Sequence, residues 1–158
     1  MDKISIYETS KGEIWKQKIF TYPDHRGELR KVFNAEVIKS YDIKQVLFQS
    51  SLTPNTRRGF HCQKIKPEAK FAFLVKGGVR WISYDREEEK FFSENLEHGY
   101  IYFFPAGLHH GSQSLEHDSE MLIFSDQIHD EADQVILNLD DFATNSCWAD
   151  LEFPIVKK

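Results

Sequence analysis

The sequence predicts an all-β fold, a sandwich or barrel built as one domain. Three observations carry this. Apolar or alternating runs of strand length recur between turn signals. Aromatics make up 14% of the 158 residues, thirteen of them Phe, and such side chains fit a pleated, half-buried surface. Helical periodicity is weak throughout.

The clearest runs are Gln45–Ser50, Arg58–Cys62, Phe71–Val75, Val79–Tyr84, Phe91–Leu96, Tyr100–Phe104 and Glu120–Phe124. Lys76-Gly77-Gly78 is a tight-turn signal between the third and fourth. Asp85–Lys90 reads as a charged loop, with Glu87-Glu88-Glu89 a solvated hairpin tip. Short strands at this spacing suit a sandwich or barrel. Asn34–Lys44 has room for a turn or two of helix, and the acidic stretch from Asp130 to Phe142 reads as partly helical. No repeat, low-complexity tract or linker divides the chain, so residues 1–158 read as a single domain with a core over about 20–125. Trp148, Phe153 and Ile155 would pack the acidic C-terminal tail against it.

Bulk properties exclude several classes. A hydrophobic fraction of 41% is that of a globular protein. The net charge of −5 argues against nucleic-acid binding, which needs a concentrated basic surface, but permits a local basic pocket for a phosphorylated small molecule. Cys62 and Cys147 form neither a disulfide framework nor a zinc spacing. With no signal-peptide pattern at the start and no apolar run of membrane-spanning length, the expected location is the cytoplasm. No phosphate-cradling glycine loop, dinucleotide fingerprint or nucleophile elbow occurs.

Two segments concentrate chemistry: Arg57-Arg58-Gly59-Phe60-His61-Cys62-Gln63 and Pro105-Ala106-Gly107-Leu108-His109-His110-Gly111. On an alternating strand, His61 and Gln63 share a face. Turned inward, two polar side chains need partners, which a ligand cavity supplies. His109 and His110 are adjacent, so one of them points inward, and the Pro-x-Gly-x-x-His spacing favours His110. Lys70 opens an apolar strand. If it points inward, its ammonium can stabilise an enolate or neutralise a phosphate. Arg26, Arg57 and Arg58 are candidate phosphate ligands, because guanidinium forks bind phosphate oxygens bidentately.

Four segments in order, Asp24-His25-Arg26-Gly27, Arg58-Gly59-Phe60-His61-Cys62-Gln63, Lys70 through Gly77, and Pro105 through Gly111, resemble those of the cupins. More narrowly, they resemble the dTDP-4-dehydrorhamnose 3,5-epimerase family. The resemblance implies a jelly-roll, double-stranded β-helix barrel and proton abstraction next to the C4 ketone of a nucleotide sugar. His61 would be the base, supported by a carboxylate (Asp85, Asp140 or Asp141), and Lys70 would hold the enolate. Arg26, Arg58, Gln63 and His110 would bind substrate, with one arginine coming from a partner subunit. It implies no metal or other cofactor. It also implies a homodimer, with Ile4–Thr9 as the candidate to cross to the partner.

The chain departs from the family in two places. The family's tyrosine general acid, in a T-D-Y-Y segment, has no counterpart in Phe124-Ser125-Asp126-Gln127-Ile128-His129, leaving Tyr41, Tyr84, Tyr100, Tyr102 or a water as candidates. The glutamate that reads thymine falls at Lys31. The sequence is also similar to the nucleotide-sugar 3,4-ketoisomerases, although His61-Cys62-Gln63-Lys64 lacks the second histidine of their H-x-H-K motif. Two further readings follow from the same residues. One is a metal-dependent cupin with His61, Glu68 and His110 as ligands, in which Gln63 would be a poor one. The other is a sugar-binding cupin without catalysis.

Overall fold

The computed structural model describes residues 2–35 and 38–137. Asp140, Asp141, Trp148, Phe153 and Ile155 lie outside the described residues. Thirteen strands are described: β1 (Lys3–Thr9), β2 (Gly12–Lys18), β3 (Phe20–Asp24), β4 (Gly27–Lys31), β5 (Gln45–Ser51), β6 (Arg57–Gln63), β7 (Lys70–Lys76), β8 (Val79–Asp85), β9 (Lys90–Asn95), β10 (Tyr100–Phe104), β11 (His109–Ser114), β12 (Ser119–Ser125) and β13 (Gln134–Ile136). They form a six-stranded sheet ordered β1-β2-β10-β7-β12-β5 and a five-stranded sheet ordered β13-β6-β11-β8-β9, with β3–β4 a separate hairpin. All pairings are antiparallel. The fold is a cupin-type jelly roll.

Alternation sorts the side chains into three layers. Between the sheets lie Ile14, Ala72, Leu74, Trp81, Tyr102, Phe104 and Met121. Phe71, Phe73, Ile101 and Phe103 face outward from the six-stranded sheet and are covered by Ile38, Phe33 and Tyr41 of the 32–43 segment. The described residues of this segment show turns and no helix, with Ile38 N donating to the Asn34 carbonyl at 3.0 Å. A smaller cluster of Phe60, Ile82 and Tyr84 lies on the outer face of the five-stranded sheet. In the described part of the stretch expected to be partly helical after Asp130, there is one 3-10 turn, Glu131–Asp133, capped by the Asp130 side chain, and residues 138–142 lie outside the described residues.

Ile4–Thr9, the candidate partner-crossing segment, folds back on β2 within the same chain. Two residues join the strands, and the Ser10 amide and hydroxyl both donate to Asp85 at 2.7 Å. Asp85 also accepts from the Glu87 and Glu88 amides, so it ties two turns together.

Candidate active site

Every element of the site is anchored at one end of the barrel. In β7, Lys70, Ala72 and Leu74 form the inward row, while Phe71 and Phe73 point out. Lys70 is therefore turned into the barrel despite opening its strand, and is only 4% exposed. Its ammonium lies 2.6 Å from a carboxylate oxygen of Glu68, itself buried. Neither Glu68 oxygen receives a directed hydrogen bond, so the ion pair is what compensates that buried charge.

His61 on β6 and His110 on β11 are directly opposite each other. Their rings meet edge to face with centroids 4.5 Å apart. Two glycines permit this. The register shifts between His110 and Gly111, and Gly59, at φ +94, sits where a Cβ would come within 2.5 Å of the His110 carbonyl oxygen. Gly111 is equally crowded, with the Arg58 carbonyl oxygen 2.8 Å from its would-be Cβ. The Arg-Gly-x-His and His-Gly spacings thus let two backbones close up so that both imidazoles face inward.

His110 is also stacked on Trp81, with centroids 5.4 Å apart and planes 16° from parallel. Burial, followed by the charges of Lys70 and His61, pushes its pKa well below the ordinary histidine value. Half-buried His61 is pushed down to about 4, by burial first and then by the positive charge of Lys70. Both imidazoles are neutral at neutral pH, and an unprotonated imidazole is the form that accepts a proton.

The segment after β12 straps across this end. Asp126 accepts from the Ala69 amide at 2.9 Å, the His129 amide donates to the Gln45 side chain at 2.9 Å, and the Asp130 amide donates to the Gln63 side chain. Asp133 accepts from the Ile65 and Lys66 amides at 2.7 and 2.8 Å. The strap brings His129 to the site. Its ring centroid is 5.8 Å from that of His61, and its Nδ1 is 4.0 Å from Glu68.

Of the expected site residues, His61, Lys70 and His110 come together. Gln63 is buried, but its amide nitrogen donates to the Lys66 carbonyl at 2.9 Å and its oxygen takes the Asp130 amide. It braces the strap rather than presenting a free amide to a ligand. Arg58 reaches the Ser50 carbonyl at 2.8 Å with an exposed side chain. Arg26 stands apart on the tip of the β3–β4 hairpin, exposed and paired with Asp24 at 2.6 Å. Asp85, offered as a support for His61, is occupied by the turns it ties.

None of the four tyrosines is turned toward His61. Tyr102 accepts from the Glu97 amide, Tyr84 stacks on Phe91 outside the barrel, Tyr41 packs on Phe71 and Phe103, and Tyr100 lies by Lys16. Glu68 and His129 were not assigned to proton transfer from sequence. Glu68 entered only as a metal ligand, and the ammonium beside it opposes a cation there. No group of three or more metal-binding side chains is assembled among the described residues.

Comparison with known proteins places the chain in a family and a fold. The family model for dTDP-4-dehydrorhamnose 3,5-epimerase matches residues 9–158. Among solved structures, the dTDP-4-dehydrorhamnose 3,5-epimerase of Sulfolobus tokodaii is 24% identical, with a TM-score of 0.76 over 89% of this chain and 84% of that one. The Bacillus anthracis enzyme of the same name, solved with TDP and PPi bound, is 17% identical, with a TM-score of 0.80 over 99% and 93%. ChmJ, a 3'-monoepimerase from Streptomyces bikiniensis in complex with dTDP-quinovose, is 20% identical, with a TM-score of 0.78 over 97% and 83%. These likenesses are in fold. Oxalate decarboxylase OxdC of Bacillus subtilis is 29% identical over 123 residues, 75% of this chain, and the chain spans about a third (31%) of that relative's length. On the family match, the chain belongs to the dTDP-4-dehydrorhamnose 3,5-epimerase family of isomerases.

Proposed function

We propose that the protein epimerises a 4-keto-6-deoxyhexose carried on a nucleoside diphosphate, taking a proton from a carbon next to the ketone. The observation that supports this most is the convergence of the neutral His61–His110 pair and the buried Lys70–Glu68 pair at one end of the barrel. His61 takes the proton. The C–H electrons move into an enolate whose oxygen carries the charge, and Lys70 supplies a fixed positive charge in a low-dielectric site. Glu68 holds Lys70 in place.

Inversion requires a proton delivered to the opposite face. Besides His110, His129 is a second titratable side chain beside His61, on a strap pinned by Gln45 and Gln63. It takes this role in the absence of the family tyrosine. Arg58 binds the diphosphate.

Arg26 is too far out on its hairpin to join the group in its own chain, so it serves the site of a partner in a homodimer. Exposed apolar side chains support such a partner: Val46 and Phe48 on the sheet-edge strand β5, and Tyr22 and Leu29 on the hairpin. No described helix is long and apolar enough to cross a membrane, and the working location is the cytoplasm.

The test is proton NMR of dTDP-4-keto-6-deoxyglucose with the protein in D2O. Deuterium beside the ketone with inverted couplings is the expected result. Migration of the carbonyl to C3 would replace the proposal with a ketoisomerase, and no exchange above the protein-free control would refute it for this sugar. His61→Asn abolishes exchange. His129→Gln retains exchange at the abstracted position but loses inverted product, whereas full retention of inversion would remove His129 from the mechanism.

A further inference from the structure

A second cleft borders the same two strands that carry His61 and His110; most of its wall residues on those strands face outward, and the inward-facing Gln63 closes one side. Its volume is about 500 Å³, within the range of small-molecule pockets. Lys11, Cys62, Lys64, Arg86, His109 and Val135 are among its walls. Cys62 and His109 are the chain neighbours of His61 and His110, and alternation turns them to the outer face. His109 pairs with Tyr84, whose ring belongs to the outer cluster.

Two independent features mark this cleft as a ligand site. The first is His109. It is 5% exposed, yet neither ring nitrogen has a hydrogen-bond partner. A buried polar atom left unpaired is costly, and native structures rarely tolerate it without a compensating partner. The second is charge. The lining carries three cations and no carboxylate. Lys11 is partly neutralised by Glu87, whereas Lys64 and Arg86 have no carboxylate within 4.0 Å among the described residues. A planar guanidinium, an ammonium and an imidazole N–H suit the several oxygens of a tetrahedral anion.

We propose that this outer cleft binds a phosphate group of a small metabolite, with His109, Lys64 and Arg86 as its contacts, at a site separate from the one that handles the sugar. The proposal goes beyond the epimerase reading and does not depend on it.

The test uses the full chain and inorganic phosphate as the probe. The His109 ring-proton NMR signal, assigned with His109→Asn, is followed during titration at constant ionic strength, with chloride and acetate as matched controls. The expected result is a saturable shift in phosphate alone, weakened at least tenfold in Lys64→Ala/Arg86→Ala. That double variant keeps the KM for the sugar nucleotide within about twofold, which is at most 0.4 kcal/mol. No response of the full chain would overturn the proposal, as would an equal response to acetate or chloride, or an unchanged response in the double variant. A tenfold rise in KM would make the cleft part of the substrate site and overturn its independence.

Discussion

Replacing Lys70 with Met should separate what the buried ion pair does for stability from what it does for chemistry. Lys70 and Glu68 are both nearly inaccessible, and their charged atoms are 2.6 Å apart. At an effective dielectric near 20, that separation gives a gross attraction of about 6 kcal/mol, most of which offsets desolvation of the two groups. Lys70→Met leaves the Glu68 carboxylate without its compensating charge, because neither of its oxygens has a directed hydrogen bond to fall back on. The expected loss is about 3–5 kcal/mol, or roughly 6–20 °C in Tm for a domain of this size. Lys70→Met/Glu68→Leu removes both charges and should return to within about 1–2 kcal/mol of the parent, since an apolar pair can replace a buried ion pair at little cost. Turnover should behave differently: both variants lose about 100–1,000-fold in kcat, the usual effect of removing one stabilising group from a developing oxyanion. Urea unfolding of the two single variants and the double variant gives the coupling energy, and exchange-detected turnover gives the rate. A coupling below about 1 kcal/mol would refute the assignment of the pair's structural role. Recovery of kcat in the double variant would refute the role of Lys70 in stabilising the enolate.

Three further outcomes follow from particular contacts. Gly59→Ala combines a positive φ with a Cβ placed 2.5 Å from the His110 carbonyl oxygen and should cost about 3 kcal/mol or more, whereas Gly27→Ala, at φ +135 with nothing within 4 Å, should cost about 1 kcal/mol; chemical denaturation distinguishes them. Burial of Asp85 works against its charge, but hydrogen bonds from Ser10, Glu88 and Glu87 hold its carboxyl below the ordinary value. Asp85→Ala should therefore lower stability by about 2–4 kcal/mol while the folded fraction keeps its kcat, and loss of kcat without loss of stability would reinstate Asp85 as a support for His61. His61 has a folded pKa pushed down to about 4, so the unfolded chain binds a proton that the native state refuses; stability present above pH 6.5 is lost as pH falls from 6.5 toward 4, and His61→Asn should remove about 2 kcal/mol of that pH dependence in denaturation curves at pH 7 and pH 4.5.

Most of the strands that could be read from sequence differ in burial between faces or are largely apolar; β5 was readable from its Val46-Leu47-Phe48 run although that run is exposed. Strands β5, β7, β8, β9, β10 and β12 each lie within a residue or two of the run that predicted them. The main strand that escaped is β11, His109–Ser114. It is buried along its whole length, yet consists of His, Gly, Ser and Gln. Its polarity imitates a loop: hydrogen bonds pair the side chains of its second half, where Ser112 takes the Gln49 amide, Gln113 donates to Asn55, and Ser114 bonds to Thr53 and Thr56, while the two histidines of its first half lie against Tyr84 and Trp81. The β3–β4 hairpin escaped for the opposite reason. Nearly all of it is exposed, so no burial pattern is imposed on its sequence.

The site divides along the same line. His61 was legible because strand alternation puts it on one face with Gln63, His110 because of its Pro-x-Gly-x-x-His spacing, and Lys70 through the family resemblance, its direction being left open by the residues themselves. The contribution of His129 was not legible, because it depends on a strap without regular structure. That strap is set by side-chain bonds to Gln45, Gln63 and Ala69, up to 84 residues away in the chain. Gln63 shows why reading the motif alone misassigned a role. Alternation correctly put it beside His61 as a buried amide in need of partners, but those partners are the Lys66 carbonyl and the Asp130 amide. On the proposed mechanism, it therefore acts through the position of His129. Gln63→Leu should then leave His61 in place, release the strap, and lower inverted product more than exchange, the same signature as His129→Gln in a weaker form.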